Sequence, residues 1–265
     1  MHSLKFLALA LIFHSHAFAA SRDLVSTSPA ITEFIHFLDM EHRLSAVSNY
    51  CRNKNNLPTI GSAFSLDYEK VLEVKSDRVF LEQTSDMRIQ SHLKKLGIKF
   101  STFKFLTLKE IKESAYKISK ILKADTKKLD QHFRKLKDLK KQILKSPKVL
   151  LVIGEDLKSG EIIGLRAVSG KSFYSDLLSL VGARNILKDS EVSYPMLDRE
   201  MLSRLKPDLV LRIGQAKLSH HIREAWKKLE VADSVKFMLA PEYVIPGPQV
   251  LNTYLKMKEV IHEVR

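Results

Sequence analysis

Cysteine occurs once in this 265-residue sequence, at Cys51, so the chain can form no internal disulfide, and an oxidising compartment is tolerated without being exploited. No glycine stands between Gly97 and Gly154 and no proline between Pro58 and Pro147, so the middle of the chain lacks the usual helix breakers and is expected to be helical. Tryptophan is equally scarce, with Trp226 alone. Beyond the N-terminal segment, no apolar stretch reaches the ~20 residues needed to span a bilayer. Signatures of catalysis are missing as well. Gly170-Lys171-Ser172 ends like a phosphate-binding loop, but that motif needs glycine where Leu165 stands, and Gly164 is one position out. Neither a zinc-protease helix motif nor a serine elbow occurs, which favours binding over a reaction and points away from an enzyme.

What is present begins with a leader. Met1–Lys5 carries one positive charge, Leu4–Phe13 is a short apolar run, and Ala17-Phe18-Ala19 has the small-x-small pattern of a cleavage site. Residues 1–20 are therefore read as a secretory signal, cleaved near Ala19 or Ala20. With no cysteine just after the apolar run, a lipid anchor is not expected, and the mature chain is expected to be free in a periplasm. The remainder is long enough for one large domain or two lobes, each with its own core. The formal charge of +14 raises the question of nucleic acid or anionic membrane as partner. Residues 107–148 hold 14 Lys+Arg against 5 Asp+Glu, so most of the excess sits in one segment. It is read as the solvated face of helices, and no nucleic-acid partner is expected.

In the middle of the chain Ile111, Ala115, Ile118 and Leu122 recur at 4-3-4 spacing, and Leu129, Phe133, Leu136, Leu139 and Ile143 continue the stripe after a break near Ala124-Asp125. Asp125 or Thr126 is placed to cap the second helix. Running from Asp125 to Lys145, that helix would be about 31 Å long at ~1.5 Å per residue, a strut long enough to cross a protein. On either side, short apolar strands alternate with amphipathic helices. Strands are expected at Asp23–Thr27, Leu44–Ser48, Arg78–Glu82 and Lys99–Phe103 before the strut, and at Lys148–Ile153, Leu209–Ile213 and Val235–Leu239 after it, with Ile186–Leu187 a weaker candidate. The fold class that follows is α/β, two Rossmann-like lobes with mainly parallel sheets joined by one long backbone helix. The expected divisions are 21–106 for the first lobe, 107–146 for the helical segment and 147–265 for the second lobe. An internal match supports duplication: Leu66-Asp67-Tyr68-Glu69 leads through Lys75 and Asp77 to Val79, and Leu197-Asp198-Arg199-Glu200 leads through Lys206 and Asp208 to Val210 at one constant offset.

Several motifs occur in a telling order: Val25-Ser26-Thr27-Ser28-Pro29-Ala30-Ile31-Thr32-Glu33, Val47-Ser48-Asn49-Tyr50-Cys51, Leu57-Pro58-Thr59-Ile60-Gly61, Lys206-Pro207-Asp208-Leu209-Val210 and Pro246-Gly247-Pro248. With the two-lobe arrangement, they make the chain resemble the helical-backbone metal receptors, the periplasmic binding proteins for vitamin B12, haem and iron-siderophore complexes. The resemblance implies a substrate-binding protein that hands a small-molecule metal complex to the permease dimer of an ABC importer, with little closure on ligand; a monomer is expected. It also implies that one glutamate on each lobe docks onto the permease, roles that fall on Glu69 and Glu200. Departures are visible: Arg52-Asn53-Lys54 follows Cys51 where the family often has an acid, an aromatic and a proline. The family's vitamin B12 binders set aromatics, including tryptophan, against the corrin, whereas Trp226 falls on an expected helix, which weighs against cobalamin.

Parallel α/β sheets bind ligands outside the carboxyl ends of their strands. That selects Ser28-Pro29, Tyr50-Cys51-Arg52 and Gln83-Thr84-Ser85 in the first lobe, and Gly154–Gly170 with Arg166, the loop after Arg212, and Pro241–Pro248 with Tyr243 in the second. Tyr50 and Tyr243 suit flat contacts to a macrocycle or phenolate ligation of ferric iron; packing is the commoner role of an isolated tyrosine, and only their loop position favours the ligand. Arg166 and Arg212 suit forked bonds to ligand carboxylates, and surface arginine is the plain alternative. Cys51 is either a soft metal ligand or a small buried hydrophobe. Adjacent His220-His221 point about 100° apart on a helix and do not build a metal site by spacing. The expected ligand is an iron chelate or tetrapyrrole with carboxylate groups; no intrinsic cofactor is expected. A bare transition metal, an exported enzyme on a related scaffold, and a chain whose lysine-rich helix attaches to anionic surfaces are the alternatives.

Overall fold

The computed structural model describes residues 22–83, 86–138 and 146–263. The expected leader, Thr84-Ser85, and the far end of the expected backbone helix at 139–145 lie outside the described residues.

The first lobe runs β1 (Leu24–Ser26), α1 (Pro29–Phe37), β2 (Leu44–Val47), β3 (Gly61–Ser62), β4 (Ser65–Leu66), α2 (Tyr68–Glu73), β5 (Arg78–Glu82), α3 (Met87–Lys95) and β6 (Phe100–Phe103). Its main sheet is wholly parallel, in the order β2-β1-β5-β6. Helices cover both faces, so β1 and β2 are buried along their whole length, as parallel strands between two layers must be. Two helices then follow, α4 (Leu108–Leu122) and α5 (Lys127–Asp138). Thr107 and Glu110 form a reciprocal capping box at the start of α4, which ends at Lys123 in the left-handed conformation. The stripe Ile111, Ala115, Ile118, Leu122 is buried as its spacing predicts. Asp125 accepts from the Lys127 amide at the start of α5, which carries the expected backbone helix as far as Asp138.

The second lobe runs β7 (Lys148–Lys158), β8 (Glu161–Ala167), α6 (Phe173–Val181), β9 (Arg184–Asn185), β10 (Met196–Leu197), α7 (Arg199–Leu205), β11 (Leu209–Gly214), α8 (His220–Lys227), β12 (Val235–Leu239) and α9 (Val250–Glu263). Here the sheet is mixed, in the order β10-β8-β7-β11-β12, with β9 beside β7. The expected loop Gly154–Gly170 is in fact a hairpin of β7 and β8. Of its glycines only Gly160 sits in the turn, where Ser159 and Gly160 both have positive φ, as a two-residue hairpin turn of this hand requires. Gly154 and Gly164 lie within strands, so glycine count misled. The weaker candidate at Ile186–Leu187 is displaced two residues, to β9.

The internal match is a structural repeat. Asp67 accepts from the Lys70 amide and Asp198 from the Met201 amide, each capping the short helix that follows a two-residue strand. Lys75 and Lys206 have φ of 46° and 45°, and the amides of Asp77 and Asp208 each bond back to the carbonyl at or just before the lobe's first strand.

One apolar cluster joins α1, α4 and α5 to α6, α9 and the inner faces of both sheets, while separate clusters fill the outer layer of each lobe. Closure of one lobe onto the other would have to shear that common core, whose interior is close-packed.

Candidate functional site

The carboxyl ends of β5, β6 and β11 face a cleft between the lobes with a volume of about 710 Å³, within the range of small-molecule sites. Phe103, Phe105, Phe173, Tyr174 and Tyr194 contribute aromatic side chains to its walls. An adjoining hollow of about 450 Å³ holds Ser28, Pro29, Tyr50 and Phe64, and shares Glu82, Gln215, Val244 and Pro246 with the larger one. Tyr50 and Phe64 are 74% and 77% exposed, two large aromatic faces left open at its edge.

The lobes are tied to each other at and around the cleft. Phe173 donates its amide to Leu106 O at 2.6 Å, and Asp176 accepts from the Leu108 amide at 2.8 Å. Buried Glu33 on α1 accepts from Arg52 and from Gln249 just before α9, both at 2.5 Å. Arg52, which departs from the resembled family, therefore serves an interlobe network.

Electrostatically the cleft differs from the sequence reading. Arg212 lines it, yet its Nε donates to Glu155 Oε2 at 2.6 Å and its Nη1 to Ile213 O, so its charge is already matched. Gly214 permits this: a Cβ there would stand 2.8 Å from Arg212 Nη1. Glu110 is likewise occupied, accepting from the amides of Leu106 and Thr107. Glu82 is not. At the end of β5 it accepts, among the described residues, only from Ser28 Oγ, at 2.7 Å, and burial pushes its carboxyl up despite that bond. The same bond explains why Ser28, at the N-cap of α1, makes no side-chain cap. Burial and the nearby Glu82 charge both raise the Tyr194 phenol. Tyr174 is raised chiefly by burial, and its hydroxyl donates to Tyr243 O.

Of the expected ligand-binding residues, Ser28, Pro29, Tyr50 and Arg212 lie on the cleft. Three do not. Cys51 is 8% exposed in the main core, its Sγ 3.2 Å from Ser48 Oγ, and burial raises its thiol. Arg166 is exposed on β8, because the hairpin carries it away from the interlobe face. Tyr243 packs half-buried on the core. Missed were Glu82, Phe105, Tyr174 and Tyr194, residues whose spacing carries no signal because only tertiary packing brings them together. Gln215, in the loop after Arg212, belongs to a segment the strand-end rule did select. Glu69 and Glu200 stand exposed in the first turns of the repeat-related α2 and α7; Glu200 pairs with Arg204. Among the described residues, no group of three or more His, Cys, Asp and Glu is arranged to hold a metal ion, and no helix is long and apolar enough to cross a membrane.

Comparison with known proteins agrees with this geometry. The family described as periplasmic binding protein matches residues 24–237. The high-affinity heme uptake system protein IsdE of Staphylococcus aureus is 25% identical over 213 residues, covering 77% of this chain and 70% of that protein. The periplasmic heme-binding protein HutB of Vibrio cholerae superposes with a TM-score of 0.73 at 19% identity, over 91% of this chain and 99% of that one. The periplasmic vitamin B12-binding protein BtuF of Vibrio cholerae does so with a TM-score of 0.66 at 19% identity, over 92% and 98%.

Proposed function

Because the chain belongs to the periplasmic binding protein family, we propose that it is an exported receptor that captures an iron chelate or tetrapyrrole between its lobes and delivers it to an ABC importer. The cleft carries this reading: aromatic side chains from both lobes, Phe103 and Phe105 of the first and Phe173, Tyr174 and Tyr194 of the second, line a space that suits a macrocycle or the hydrocarbon skirt of a chelate. The relatives named for haem and vitamin B12 support the same ligand class. The carboxylate feature expected of the ligand loses its support, since Arg166 is off the cleft and Arg212 is paired. Tyr50, exposed at the edge, is the best-placed aromatic for a face or phenolate contact.

Delivery is proposed to use Glu69 and Glu200, because a receptor with pseudo-twofold lobes meets a twofold permease best with similar charges on both lobes. The periplasm and a cleaved leader are the matching proposals for location. Titration of the exported protein with haemin, ferric siderophores and cobalamin tests the reading: one should bind tightly, with a change in its visible spectrum. If all fail while Zn²⁺ or Mn²⁺ binds tightly, a bare-metal receptor replaces it.

A further inference from the structure

We propose that Glu82 determines ligand specificity by facing the bound ligand, and that it selects a chelate or tetrapyrrole that is neutral or cationic at the first lobe over one presenting a carboxylate there. The proposal rests on the cleft being the capture site. Glu82 borders both hollows, its carboxylate accepts from Ser28 Oγ at 2.7 Å, and Tyr194 lines the larger hollow with it. Among the described residues it forms no ion pair and accepts one hydroxyl, whereas Arg212 is paired with Glu155 and the Glu110 carboxylate is held by two backbone amides at the start of α4. Lys104 remains, but it is exposed at the rim, where water screens it. Where the two hollows meet, the wall therefore presents an acid with no cation partner among the described residues. A ligand N–H, O–H or positive charge there gains a charge-assisted hydrogen bond, and a ligand carboxylate meets repulsion that low polarity strengthens.

The test uses three matched ligand pairs, each one scaffold in two charge states: haemin dimethyl ester and haemin, ferrioxamine B and its N-succinyl derivative, and cyanocobalamin and its monocarboxylic acid. Affinities are measured for the wild type and Glu82→Gln, whose amide oxygen can still accept from Ser28; an unchanged thermal midpoint verifies its fold. In the pair that binds, the less anionic member should bind wild type about tenfold tighter, and Glu82→Gln should bring the two within roughly twofold of each other. A wild-type ratio near one, or a ratio that Glu82→Gln leaves unchanged, overturns the proposal while leaving the capture reading intact. Failure of all six compounds to bind wild type overturns the capture reading, and this inference with it.

Discussion

Replacing Arg212 by methionine should strand a buried carboxylate. The Arg212 and Glu155 side chains are 9% and 3% exposed and joined at 2.6 Å across neighbouring strands β11 and β7, so water cannot take over when one partner leaves. Breaking such a pair from one side costs about 3–5 kcal/mol, because the remaining charge keeps its desolvation penalty and loses its compensation. For a chain of this size each kcal/mol moves the thermal midpoint by ~2–4 °C, so the single variant should melt roughly 6–20 °C lower. Arg212→Met combined with Glu155→Leu removes both charges at similar volume and should recover most of that loss. Urea titration followed by Trp226 fluorescence suits the measurement, since this sole tryptophan lies buried in the outer core of the same lobe. A loss below about 1 kcal/mol in the single variant, or a double variant as unstable as the single one, would refute the pairing argument. The double variant also settles the role expected of Arg212 from sequence: retained ligand affinity makes it structural, while a loss beyond about tenfold in the folded protein makes it a ligand contact.

Two further outcomes follow from the geometry. His132 is 7% exposed, its Nε2 has no hydrogen-bond partner among the described residues, and burial, with Lys135 adding to it, lowers its pKa to about 4. The unfolded chain takes up that proton near ~6.5, so the stability tied to neutral His132 is whole above that pH and is lost as pH falls toward about 4. His132→Leu should flatten the thermal midpoint across this window, and equal slopes in both proteins would count against the buried neutral ring. On the surface, Glu69→Arg with Glu200→Arg should leave ligand affinity and folding nearly unchanged while abolishing uptake through the cognate importer, since exposed carboxylates govern encounter more than capture. Wild-type uptake by the folded double variant would leave both residues only their place in the first turn of a helix.

Local pattern alone determined the layered α/β architecture. Arg78–Glu82 and Val235–Leu239 coincide with β5 and β12, because short apolar runs between breakers have few other uses. The stripe of α4 and the cap at Asp125 were legible for the same reason, as were the aspartate caps of the repeat, which depend on residues three apart. The β7–β8 hairpin was not, since glycines in strands and glycines in turns look alike in sequence. Which loop residues meet at the cleft was decided only by packing. Tyr50 and Cys51 are neighbours in the chain, yet one is exposed at the cleft and the other sits in the core, because successive side chains at a turn point in different directions. Arg212 lies near the carboxyl end of its strand as expected, but only the register of β11 against β7 brought Glu155 to it. Glu82 came to bond Ser28 and to line one cleft with Tyr194, 54 and 112 positions away, where no spacing rule reaches, and its chemistry belongs to the tertiary structure alone.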